Sequence, residues 1–141
     1  MVGFAILLVT ALLDMRAAGA GNLVIVVNPG SGIEQLTRNQ TIDIFLGRNR
    51  KLPSGALAIP IDLRSGTPER KEFYLLLVGK DFAQMSSYWA RLVFSGQASP
   101  PFPVPDARTA LELVATNPNA IAYLDSTTVD NRVRVVLELK P

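Results

Sequence analysis

The sequence contains no cysteine and no histidine. Their absence excludes disulfides, Cys- or His-ligated zinc, thiol catalysis and any Ser-His-Asp triad. Charge is also sparse: 18% of residues are charged, the formal net charge is +2, and Lys and Arg are scattered along the chain. No basic stripe marks a nucleic-acid partner. Aromatics make up only 7% of the residues, and the longest apolar run, from Val2 to Leu13, is interrupted by Thr10. That run is shorter than the roughly 20 residues a membrane-spanning helix needs. Against these gaps, 48% of the 141 residues are hydrophobic, enough for one domain with a real core. The chemistry left open is that of a small-molecule binder, an interaction module, or an enzyme limited to carboxylate, Lys, Tyr or Ser groups. Nothing in the sequence calls for a cofactor or a metal.

The first twenty residues read as a leader. The apolar run is followed by Ala17-Ala18-Gly19-Ala20, in which Ala18 and Ala20 form the small-x-small pattern of a signal-peptidase site. A basic segment before the run is missing, since Arg16 follows it. The other reading is a hydrophobic first helix of the domain. Taking 1–20 as a signal peptide leaves 21–141 as a single domain, exported to the periplasm with no membrane span.

From Leu23 onward, strand and helix patterns alternate. Leu23 to Val27 is a β-branched run ended by Asn28-Pro29-Gly30-Ser31-Gly32. Thr37 and Gln40 form a capping box for a helix that stops at Gly47, and 48–55 is a polar loop. Ala56 to Asp62 predicts a second strand, with Pro60 at its end or on an edge. Thr67-Pro68 starts a helix that ends at Gly79, and Asp81 with Gln84 caps the next. The latter carries Phe82, Met85, Trp89, Leu92 and Val93 as an apolar stripe and closes at Gly96. The proline-rich segment 99–105 predicts a stiff connector, and Asp106 caps a last helix. Ala120 to Leu124 and Arg132 to Leu139 are the final strands. The pattern predicts an α/β layer architecture, a mostly parallel sheet flanked by helices.

Binding sites in such sheets lie where strand ends meet helix N-termini. The best candidate is Arg64-Ser65-Gly66-Thr67, between the second strand and the helix opened by Pro68. Free N–H groups and the positive end of the helix dipole attract anions there. Gly66 allows close backbone approach, Ser65 and Thr67 add hydroxyls, and Arg64 supplies a fork suited to phosphate oxygens. A purely structural reading of the same residues is that Thr67 caps the helix and Arg64 is solvated. The turn 28–32 lacks nucleotide-fingerprint spacing and reads as a connector. Tyr88-Trp89 reads as core packing, with Tyr88 partly outside it. Asp125 and Asp130 match no calcium loop. The carboxylates Asp43, Asp62, Glu69, Glu72 and Asp81 read mostly as caps and polar helix faces, so an enzyme is the minority reading.

Taken in order, these motifs resemble the central and C-terminal part of the phosphate-binding proteins of bacterial phosphate ABC transporters. The resemblance rests on Val24 to Asn28, Leu36-Thr37 leading into Ile42 to Gly47, the Arg64 to Thr67 turn, Tyr88-Trp89 to Gly96, and Asn117 to Tyr123. Short, single-domain relatives share the last two stretches. The resemblance implies one three-layer lobe of a type 2 periplasmic-binding-protein fold, with phosphate or a related oxyanion at Arg64, Ser65, Gly66 and Thr67. It also implies an ABC transporter permease, or another binding-protein lobe, as partner. Two departures stand out. The family closes two lobes around phosphate, and this chain has room for about one. The family also places an acidic residue and a further Gly between the Arg and the Ser-Gly-Thr, and both are missing here. The other reading is therefore a degenerate lobe, kept as an interaction or structural module with no ligand.

Overall fold

The computed structural model describes residues 21–141. The expected leader at 1–20 lies outside the described residues. Five strands form one sheet: β1 (Leu23–Val27), β2 (Ile59–Leu63), β3 (Phe102–Val104), β4 (Ala120–Asp125) and β5 (Arg134–Glu138), in the spatial order β3-β2-β4-β1-β5. Four helices flank it: α1 (Arg38–Phe45), α2 (Pro68–Val78), α3 (Phe82–Phe94) and α4 (Ala107–Thr116).

The pairing is evenly mixed. β2 runs parallel to β3 and β4, whereas β1 runs antiparallel to β4 and β5. The mostly parallel sheet expected from the helix–strand alternation is corrected to this half-and-half arrangement. The reason is that a Val/Ile run buries the same apolar groups whichever way its neighbour points. The strand pattern therefore carries no direction for β1. The register sets Leu23 opposite Asp125, so the chain enters β1 at the edge where β4 leaves.

The two crossovers, β2 to β3 through α2 and α3, and β3 to β4 through α4, move along the sheet in opposite directions. Right-handed connections then place α2 and α4 on opposite faces. Burial agrees: every residue of β1, and β4 from Ala120 to Leu124, is buried, so both sheet faces are covered. On the α2 face, Phe73 stacks on Tyr123 with centroids 3.8 Å apart, and Phe45 of α1 meets Phe73 edge-on at 4.8 Å.

Two further expectations need correction. Pro60 lies inside β2, which is an interior strand rather than an edge. It is tolerated because the Ile59 N–H is spent on Asn119 O (2.8 Å), which turns the Pro60 nitrogen toward β3, and β3 pairs only from Ile61 onward. The connector 99–105 contains β3, a three-residue edge strand in which Pro103 leaves no donor to template further pairing. Pro60 thus sits near the start of β2, on its side not yet paired to β3, and Pro103 lies on the outer edge of the sheet. No described helix is long and apolar enough to cross a membrane.

Candidate functional site

Because β2, β3 and β4 are parallel, their C-terminal ends share one edge of the sheet. The Arg64–Thr67 turn sits there, between the end of β2 and the start of α2. The Arg64 N–H donates to Val104 O at 3.1 Å, extending the β2–β3 ladder to the edge. Gly66 then takes φ +94°, which reverses the chain into α2. Thr67 Oγ1 accepts the Arg70 N–H at 3.4 Å and donates to Arg64 O at 3.0 Å. Thr67 is thus the N-cap of α2, as the Thr-Pro pair predicts.

The four candidate residues are contiguous and largely exposed. The Arg64 guanidinium has no hydrogen bond or ion pair among the described residues, so its donors face water. Asp106, the N-cap of α4, stands on the same edge. Hydrogen bonds from the Thr109 N–H and hydroxyl hold its carboxyl below the usual range, and the charges of Arg108 and Arg64 add to the effect. Chemically, the turn offers a free guanidinium, the Ser65 hydroxyl and a glycine backbone at a helix start, which is a donor set for an oxyanion, while the Thr67 hydroxyl proton is already given to Arg64 O.

Behind this turn lies a group whose partners the sequence does not show. Asp62, 5% exposed, ends the inward face of β2. Tyr74 Oη donates to its Oδ2 at 2.7 Å, Tyr123 Oη donates to its Oδ1, and Arg70 Nε lies 3.3 Å from Oδ2. Tyr123 Oη in turn accepts the Leu63 N–H at 3.0 Å. Burial pushes both phenols well above their ordinary value, and the Asp62 charge pushes them further. Asp62 is neither a cap nor part of a polar helix face, as reading the carboxylates one by one suggests. The available signal was a carboxylate inside the apolar strand Ile59–Leu63, which demands buried partners.

The remaining candidates resolve as structural. Asn28 Nδ2 donates to Val114 O and Ala115 O at 2.9 and 3.0 Å, closing the last turn of α4, while its Oδ1 accepts the Gly30 N–H. Trp89 is buried, and half-buried Tyr88 donates to Leu46 O at 2.6 Å. Of the rest of the α3 stripe, Met85 is buried, but Phe82 and Val93 are 58% and 53% exposed. Asp125 accepts from Gly21 N and Thr127, and Asp130 pairs with Arg132 at 2.9 Å.

No family model and no curated protein matches the sequence. Solved structures do match. An ABC-type phosphate transport receptor from Vibrio cholerae superposes with a TM-score of 0.66 at 19% identity, over 84% of this chain and 46% of that one. The fold is that of the phosphate transport receptors. A putative phosphate ABC transporter substrate-binding protein from Clostridium perfringens, solved with bound phosphate, gives 0.65 at 18% identity, over 84% of this chain and 45% of that one. PstS from Borrelia burgdorferi gives 0.64 at 15% identity, over 82% and 46%. The chain therefore spans about half the length of these three proteins. The first two are named as a transport receptor and a substrate-binding protein rather than as enzymes.

Proposed function

We propose that this chain is an exported solute-binding-like protein that recognises phosphate or a related oxyanion at Arg64, Ser65, Gly66 and Thr67. One observation carries the reading. The unpaired Arg64 guanidinium and the Gly66 turn converge at the start of α2, on the edge where the parallel strands end. The shared fold with phosphate receptors supports the same class of ligand. In this reading 21–141 is one binding lobe, released into the periplasm after removal of 1–20. An ABC transporter permease or a second lobe is its partner, and no catalytic residue is assigned.

Arg64→Ala is the deciding variant, because the exposed side chain contributes little to folding. Its loss removes a charge-assisted contact of roughly 1.5–3 kcal/mol. Titration with inorganic phosphate, followed through backbone amide shifts, should move Ser65, Gly66 and Thr67 in the wild type and hardly at all in Arg64→Ala. Largest shifts at Gly30 to Gly32, or equal binding by the variant, would displace the site. The absence of any shift in either protein would favour a lobe kept as an interaction module, a reading to which the 96% exposed Phe94 of α3 lends some support.

A further inference from the structure

Arg70 is the third residue of α2, and its side chain is only 14% exposed. The exposed part includes its terminal nitrogens, which can therefore take a partner from outside the protein. Here Nε alone is engaged, by Asp62 Oδ2 at 3.3 Å, and neither terminal nitrogen has a hydrogen-bond partner among the described residues. The faces of the guanidinium are occupied instead. Its Cζ lies 5.0 Å from the Tyr74 ring centroid and 5.8 Å from that of Phe82. Two rings and one carboxylate fix the plane and leave the terminal N–H groups without a protein partner and open to solvent.

Arg70 lines a groove of about 910 Å³ between α2 and α3, which begins at Ser65, Gly66 and Thr67. That volume lies in the range of pockets that hold whole organic ligands, roughly 300–1,000 Å³, and is more than a bare phosphate needs. Lys71 and Lys80 add positive charge along the groove, while Pro68, Phe82 and Ala83 give it apolar walls. The one acidic residue on its lining, Asp81, is committed to the Gln84 N–H as the cap of α3. Phe82 covers Arg70 yet keeps 58% of its surface exposed, leaving an apolar ring beside unmatched donors.

We infer that this groove takes an organic phosphate, a phosphate monoester with a flat apolar body. Arg70 is a second guanidinium for the phosphate, and Phe82 is the platform for the body. The inference rests on the reading of the Ser65–Thr67 turn as an oxyanion site and names the class of ligand that site accepts. The Arg70 terminal nitrogens donate to the phosphate oxygens, Lys71 and Lys80 offset the remaining charge, and the ring of the ligand covers Phe82 and Ala83.

Isothermal titration of the purified protein with phenyl phosphate, inorganic phosphate and phenol tests it. Phenyl phosphate should bind at least about tenfold more tightly than inorganic phosphate, as burial of one ring face predicts, and phenol should give no measurable heat. Phe82→Ala should bring the two phosphate affinities to within about twofold of each other. Arg70→Lys, which keeps a cation beside Asp62 so that the fold survives, should weaken phenyl phosphate at least about tenfold by losing the fork. Circular dichroism of both variants confirms that they are folded. Equal affinity of the wild type for both phosphates, or an undiminished preference in Phe82→Ala, overturns the organic-ligand inference and leaves the oxyanion site standing. Binding of neither phosphate overturns both.

Discussion

At the scale of single residues, Asp62 organises the interior. One carboxylate accepts from two phenols and pairs with Arg70, and Tyr123 passes the connection on to the Leu63 N–H. Removing one partner leaves buried groups unmatched, which costs more than the removed bond itself contributes. Tyr123→Phe should lower unfolding stability by about 1–3 kcal/mol in urea melts. Asp62→Ala, which strands a nearly buried guanidinium and two phenols, should cost about 3–5 kcal/mol. The phenols also set the alkaline limit. Their native pKa values are raised, so the fold keeps both protons while the unfolded chain releases them above about pH 10. The unfolded state then binds fewer protons, and stability falls as pH rises, by up to about 2.7 kcal/mol per pH unit for two groups. The contribution is complete below pH 10 and is lost above it. Urea midpoints measured between pH 9 and 11.5 should stay level and then drop, with a shallower drop in Tyr123→Phe. A midpoint that is flat through pH 11.5 would rule out the buried phenol–carboxylate arrangement. The sequence shows a carboxylate inside an apolar strand but not its partners, because Asp62, Tyr74 and Tyr123 come together only through the β2–β4 register and the packing of α2 across it. The exposed candidates, Arg64 to Thr67, were legible because their placement depends on a local turn.

At the scale of elements, local chemistry decided most boundaries. Thr37 with Gln40 and Asp81 with Gln84 form complete capping boxes, Thr67 and Asp106 cap their helices, and Gly79 ends α2 in the left-handed region. These signals act within four residues, so the sequence displays them directly. β3 was invisible for the opposite reason. Three residues among four prolines have no strand propensity of their own, and Phe102–Val104 extends only because β2 supplies the ladder. Phe82 and Val93 mark another limit, since a helical apolar stripe shows which residues share a face but not how much of that face a neighbour covers. Three element-level variants test the turn between β2 and α2. Gly66→Ala meets no atom within 4 Å, so its cost is conformational, about 1–2 kcal/mol for a φ of +94°. Thr67→Val should cost about 1 kcal/mol through the lost cap, and Thr67→Ser should restore it. Thermal melts of the three variants should follow that order. Asn28→Ala acts at a distance. It frees the Val114 and Ala115 carbonyls that Asn28 Nδ2 now holds, and should loosen the last turn of α4 in amide exchange before the sheet is affected.

At the scale of the whole molecule, the helix–strand alternation reveals the layered α/β class, while strand direction escapes it because β1 buries the same side chains in either orientation. The consequence for binding lies in geometry. The chain spans about half the length of the phosphate receptors whose fold it shares. Its candidate turn is correspondingly open, with Arg64, Ser65 and Gly66 exposed on the sheet edge. An anion held on one side keeps much of its hydration shell on the other, and the contacts that hold it compete with water and salt. Inorganic phosphate should therefore bind the monomer with a Kd in the millimolar range, about −4 kcal/mol. At 10 mM phosphate and a Kd of about 1 mM, mass action adds about 1.4 kcal/mol to stability. For a domain of this size that raises Tm by roughly 5 °C. The shift should grow with phosphate concentration, shrink in high salt and vanish in Arg64→Ala. If a second copy or another lobe completes the cleft, sedimentation velocity should show phosphate-dependent association, and the apparent affinity should rise with protein concentration. A nanomolar Kd for a monodisperse monomer would show that one open edge is sufficient for capture.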